Sequence, residues 1–267
     1  MTYRSNAKYN PAATEQPLIQ VSNFHKSYRD TVAVADLSFE VLPTQILGLL
    51  GPNGAGKTTT MRAIAGIIPP TMGCLFVGGR DVQMDPVGAK RQLAYVPDDP
   101  KLFESLTVWE HLQFIASAYR VVDYELYARQ LLDRFELTEK KDALAGELSR
   151  GMRQKVAICC AYLHRPAAIL FDEPLTGLDP RGIRTMKDSV RGVSAAGAAI
   201  IVSSHLLALV EDLITHLLIL HKGRRLFFGP ASEARNAFDA TTDASLEDVF
   251  LRATETAAVD YAANKGQ

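Results

Sequence analysis

Apolar residues in this chain gather in short runs separated by amphipathic stretches. β-rich runs occupy residues 18–21, 32–41 and 46–50, the last ending in a glycine-rich turn, and further short apolar runs follow at 93–96, 167–171, 199–202 and 217–220. Helical patterns lie between them. Buried strands alternating with helices predict an α/β fold with a largely parallel sheet, because strands covered on both faces read as continuous apolar runs. Between Leu106 and Leu148 the chain is rich in helix formers and has no comparable run, which predicts a helical subdomain over about 98–148. Residues 1–17 are polar and aperiodic and read as a flexible tail. The main domain is expected over 18–229 and a short helical extension over 230–267.

Composition narrows the class. With 47% hydrophobic and 22% charged residues the chain has ordinary globular content, enough for one large core or two small ones. Lys plus Arg number 29 against 30 Asp plus Glu, so no basic excess exists to neutralise a nucleic-acid backbone, and nucleic acid is not an expected partner. Cys74 and the adjacent Cys159 and Cys160 form neither a CxxC pair nor a spread disulfide framework, so a reduced compartment is expected. The longest apolar stretch, 193–202, falls well short of the roughly 20 residues of a membrane span. No signal-peptide core is seen at the N-terminus.

The chemistry begins at Gly51, Pro52, Asn53, Gly54, Ala55, Gly56, Lys57 and Thr58, which satisfy G-x-x-x-x-G-K-[ST] between a strand run and a helical stretch that starts at Thr59. Glycines let the backbone wrap a polyphosphate, and amide groups at a helix start face its charge. Lys57 reaches the β and γ phosphates, and Thr58 can ligate Mg²⁺. A second element follows the run 167–171: Asp172 and Glu173 stand at the C-terminal edge of the sheet, where open α/β folds bind ligands. Metal coordination is assigned to Asp172 and general-base work on an attacking water to Glu173. Without the phosphate loop the two acids could equally cap the next helix.

A phosphate loop with an acidic strand end fits a GTPase, a kinase, a helicase or an ABC ATPase. The run from Leu148 through Ser149, Arg150, Gly151, Met152, Arg153 and Gln154 resembles the LSGGQ signature of the ABC ATPase family. Further motifs of that family appear in order. Tyr28 resembles the aromatic that stacks on adenine, Thr176-Gly177-Leu178-Asp179 the D-loop, and His205 the switch histidine contacting the γ-phosphate. Each has a plainer alternative: an exposed loop aromatic, a helix cap before Pro180, and a helix-start histidine.

The resemblance, over roughly 18–229, implies a P-loop NTPase (RecA-like) core with a mostly parallel sheet, an antiparallel β subdomain and an inserted α-helical subdomain. It implies ATP and Mg²⁺ as cofactors. It also implies a head-to-tail dimer, with itself or a related ATPase subunit, in which Ser149 and Gly151 face the nucleotide of the other subunit. An integral membrane permease is the implied partner, with this chain peripheral on the cytoplasmic side and most like the exporter branch for drugs, polysaccharides or lipids. An importer subunit or a non-transport ABC ATPase are the alternatives.

Two departures stand out. Asp98 occupies the position where the family usually has the Q-loop glutamine; it either binds the metal or belongs to a turn that has lost the sensing role. Arg150 replaces a signature glycine, and either reaches nucleotide across the interface or faces solvent. The stretch with Leu102, Phe103, Leu106, Val108 and Trp109 is expected to form the groove for the membrane partner.

Overall fold

The computed structural model describes residues 16–238 and 245–254; nearly all of the expected N-terminal tail and half of the expected extension lie outside them. The central sheet has six strands in the order β10-β9-β3-β8-β7-β6. Its parallel part is β3 (Ile46–Leu50), β6 (Leu93–Val96), β7 (Ala168–Asp172), β8 (Ala199–Ser203) and β9 (His216–His221), with β10 (Arg224–Pro230) antiparallel on the edge beside β9.

The continuous apolar runs are explained by two cores, one on each face. Along β7, Ile169 and Phe171 enter one core while Ala168 and Leu170 enter the other; Ile200 and Val202 are likewise split from Ala199 and Ile201 along β8. Successive side chains point to opposite faces, so a strand buried on both sides must be apolar at every position.

One face is covered by an antiparallel sheet of β1 (Ile19–Tyr28), β2 (Thr31–Val41), β4 (Met72–Val77) and β5 (Arg80–Asp81), in the order β2-β1-β4-β5. Sequence reading stopped β1 at residue 21 and missed β4, β5 and β10. These strands are partly exposed, and the apolar runs of β4 (74–77) and β10 (226–228) are short and sit beside glycine, arginine or proline, so they do not stand out as buried strands. β10 also ends in Gly229-Pro230, which reads as turn punctuation but suits an edge strand that needs no further donor.

The other face carries α3 (Val108–Tyr119), α4 (Glu125–Arg134) and α5 (Arg150–Leu163). A capping box starts α3: the Thr107 side chain accepts from the Glu110 amide, and Glu110 accepts from the Thr107 amide. That start sets the helix phase, turning Val108, Leu112 and Ala116 into the core. α5 begins at Arg150, five residues before Lys155, where the sequence pattern alone starts a helix, because Ser149 caps it and Gly151 falls in the first turn, where a missing side chain costs little. A helical segment over 246–254 docks Leu246, Val249 and Ala253 into the same core.

Candidate functional site

The C-terminal ends of β3, β6, β7 and β8 open on one cleft of about 1120 Å³. β3 runs into the phosphate loop, which enters α1 (Lys57–Ile64) at Gly56 with no side-chain cap. The first-turn amides therefore face the cleft as a site for negative charge. Gly56 has φ +103° and a Cβ there would lie 2.8 Å from the Ala33 carbonyl oxygen, so only glycine fits the turn. Lys57 donates from Nζ to the carbonyls of Gly51 at 2.6 Å and Pro52 at 3.2 Å. Burial pushes its pKa down, and Glu173 and Asp172 oppose that shift. A bound anion would offset that desolvation.

Asp172 ends β7 and is held from both neighbouring strands. Ser203 Oγ on β8 donates to Oδ1 at 2.5 Å, and Tyr95 OH on β6 donates to Oδ2 at 3.2 Å. Tyr95 is pushed up to about 12, first by burial and then by the Asp172 carboxylate, so it stays a donor. Neither Tyr95 nor Ser203 was singled out from sequence; the available signal was a polar residue at or next to the end of an otherwise apolar strand. Ser203→Ala removes a buried, charge-assisted donor, and is expected to cost about 1–3 kcal/mol. Thermal unfolding should show a Tm several degrees lower, at about 2–4 °C per kcal/mol for a domain of this size; an unchanged Tm would mean that Tyr95 alone suffices.

Glu173 follows with φ +52°, a left-handed backbone that turns its side chain away from that of Asp172. Its Oε2 lies 2.8 Å from His205 Nδ1 and accepts the His205 backbone N–H at 3.2 Å. A carboxylate only accepts, so it holds the proton on Nδ1. The expected base and the expected switch histidine are therefore in direct contact, which sequence order could not show.

Asn53, Lys57, Thr58, Asp98, Asp172, Glu173, Thr176 and His205 all line the cleft, drawn from four separate stretches of chain. Tyr28, Ser149, Gly151 and Asp179 do not. Tyr28 is half exposed at the end of β1 with Lys26 Nζ 4.9 Å from its ring centre. Asp179 caps α6 (Pro180–Ala195), accepting from the Gly182 amide at 3.1 Å. Ser149 caps α5 by accepting from the Met152 amide at 3.2 Å and is exposed. Gly151 packs so closely that a Cβ would lie 2.5 Å from the Gly177 carbonyl oxygen, so the signature and D-loop segments touch within the chain.

Arg150 is exposed, as one of its two expectations had it. Its guanidinium donates to Asp98 Oδ1 at 2.8 Å within the same chain, a partner that competes with the metal role expected for Asp98. The expected groove also differs in detail. An apolar groove of about 260 Å³ runs between α3 and α5, with Leu102 and Phe103 in its wall as expected, joined by His111, Phe114 and Tyr119. Leu106, Val108 and Trp109 are absent from the wall, because the phase of α3 buries Val108 and turns the next positions aside.

The donor set fits a hard cation with a triphosphate. Thr58 and Asp172 offer oxygen ligands, and no group of three or more His, Cys, Asp or Glu capable of holding a metal is found among the described residues. Mg²⁺ sites beside nucleotide phosphates commonly use one or two protein oxygens plus phosphate oxygens.

Comparisons with known proteins agree with this geometry. A model of the ABC transporter family matches residues 34–176. The ABC-type transporter ATP-binding protein EcsA of Bacillus subtilis is 36% identical over 240 residues, covering 89% of this chain and 97% of the relative. Nod factor export ATP-binding protein I of Cupriavidus metallidurans is 33% identical, covering 81% and 72%. A solved ATP-binding subunit of an ABC transporter superposes with a TM-score of 0.85 at 35% identity, covering 89% of this chain and 99% of its own. With more than half its length matched by the family model, this chain belongs to the ABC transporter family and is an ATP-binding, ATP-hydrolysing subunit of a transporter.

Proposed function

We propose that this subunit works as a head-to-tail pair on the cytoplasmic face of a membrane, where Mg-ATP hydrolysis drives export by a separate permease. The observation that carries the pairing is the split of the site. The cleft gathers the phosphate loop, the acidic pair and His205, while Ser149 at the exposed start of α5 lies outside it. The exposed start of this 14-residue helix, where Ser149 caps the first turn, favours a negative charge brought to it. A second copy, or a related subunit, supplies the phosphate. Asp179 then lies near the interface as well as capping α6, and Tyr28 offers a ring for adenine.

Within the cleft, Lys57 and the first-turn amides of α1 bind the triphosphate. Thr58 and Asp172 are the residues that would hold Mg²⁺, which supplies charge for the phosphoryl oxygens. Glu173 takes the proton from the attacking water as the bond from the γ-phosphorus to ADP breaks. His205 orients that carboxylate and reaches the γ-phosphate.

Direction and partner rest on other support. The similar Nod factor protein is an export subunit by name. Among the described residues no helix is long and apolar enough to cross a membrane. The groove between α3 and α5, with Phe103 and Phe114 each about half exposed, suits a short apolar helix of a membrane subunit. In lysates of the native cell the wild type should sediment with membranes and be released by high salt or detergent. Phe114→Asp should reduce the membrane-bound fraction to background while the purified protein keeps its ATPase rate. A wild type found free in solution would overturn the transporter role proposed for this site.

A further inference from the structure

The two departures from the family pattern, Asp98 and Arg150, are 52 residues apart in sequence and bonded to each other in space at 2.8 Å. Both line the nucleotide cleft. The stem of Arg150 is placed as well as its head: a Cβ on Gly177 would lie 3.5 Å from Arg150 Cδ, so the stem crosses the D-loop turn on its way to Asp98. The surrounding charge is arranged to the same end. Asp99, next in the chain, is held below the usual carboxylate range by its hydrogen bond to Lys101, with Arg150 and Arg153 adding to the effect. Two adjacent carboxylates at the cleft rim are thus faced by three cations.

We propose that Arg150 is a positioning residue for the nucleotide site. Its ion pair with Asp98 cancels a carboxylate that would otherwise face the triphosphate, and ties the start of the signature helix to the segment after β6. The inference rests on the reading of the cleft as the ATP site. Charge explains why the departures belong together: an unpaired carboxylate repels a polyanion, whereas a paired one presents little net field. The pair also gives the helix that carries Ser149 a polar link to the nucleotide floor, which a glycine at position 150 could not make. With its side chains 46% and 49% exposed, the pair adds little to folding stability, so its loss should be read in nucleotide binding and not in unfolding.

The test is a double-mutant cycle on equilibrium binding of a fluorescent ATP analogue with Mg²⁺, without turnover, together with Tm. Arg150→Ala should weaken binding by about tenfold at low salt, and the deficit should shrink as salt screens it. Arg150→Lys should bind nearly as wild type. Asp98→Ala alone should bind at least as well as wild type with unchanged Mg²⁺ dependence. The double variant Asp98→Ala with Arg150→Ala should return to within about twofold of wild type, the interaction showing as non-additivity. All four should keep the wild-type Tm within a few degrees. Arg150→Ala binding like wild type would overturn the proposal. So would a double variant as weak as Arg150→Ala, since that result means that Arg150 touches nucleotide directly. If the wild type itself binds no Mg-ATP, the fault lies in the assignment of the cleft and not in the pair.

Discussion

Glu173→Gln is expected to lower the rate of ATP hydrolysis by about 10²–10⁴-fold, the usual worth of a positioned general base, while leaving ATP binding intact. The substitution keeps the shape and the left-handed backbone at φ +52° but removes the negative oxygen that would accept the proton of water. Glutamine can still accept the backbone N–H of His205 through its amide oxygen, so the loop carrying His205 is not released. The phosphate loop, Asp172, Tyr95 and Ser203 are untouched. With binding kept and cleavage lost, the ATP-bound pair has no route to separate. Size-exclusion chromatography with Mg-ATP should show the variant as a stable dimer where the wild type elutes mainly as monomer. A variant that keeps more than about a tenth of the wild-type rate would remove Glu173 from the role of base, since the loss would then fall below the general-base range.

Lys57→Ala should act one step earlier, on binding. Nζ donates to two carbonyls of its own loop in the structure, at 2.6 and 3.2 Å, and is expected to exchange them for phosphate oxygens. Losing a charge-assisted donor worth about 1.5–3 kcal/mol predicts an ATP dissociation constant about 10–150-fold higher, measured by calorimetry. Stability should suffer much less, because burial already penalises the ammonium in the folded protein, as its lowered pKa shows. Weak ATP binding with a near-native Tm is the expected pair of readings. Unchanged affinity would show that the amides of the loop and α1 suffice for the phosphates.

The local elements and their edges were legible to different degrees. Strands buried on both faces, such as β6 and β7, showed as uninterrupted apolar runs and were placed within a residue or so. The partly exposed strands β4 and β10 were missed, since their apolar runs are short and lie beside glycine, arginine or proline, and what makes them strands is pairing, of β4 between β1 and β5 and of β10 along β9. The start of α5 was missed because a glycine in the first turn resembles a breaker until Ser149 is seen to cap it.

For the site, the sequence by itself determined the residue types and their order: a phosphate loop between strand and helix, two acids after a buried strand, and a histidine after the next. Those motifs are local, and each carries its chemistry within a few residues of chain. Contacts between distant segments were decided only by the tertiary structure. The parallel sheet sets Ser203 beside Asp172 and brings Tyr95 to its other side. It also sets His205 against Glu173, across 32 residues. The packing of the helical side on that sheet brings Arg150 to Asp98 and Gly151 against Gly177. Such pairs depend on register and helix phase, which are set by how the two cores fill, and no single stretch of sequence carries that information.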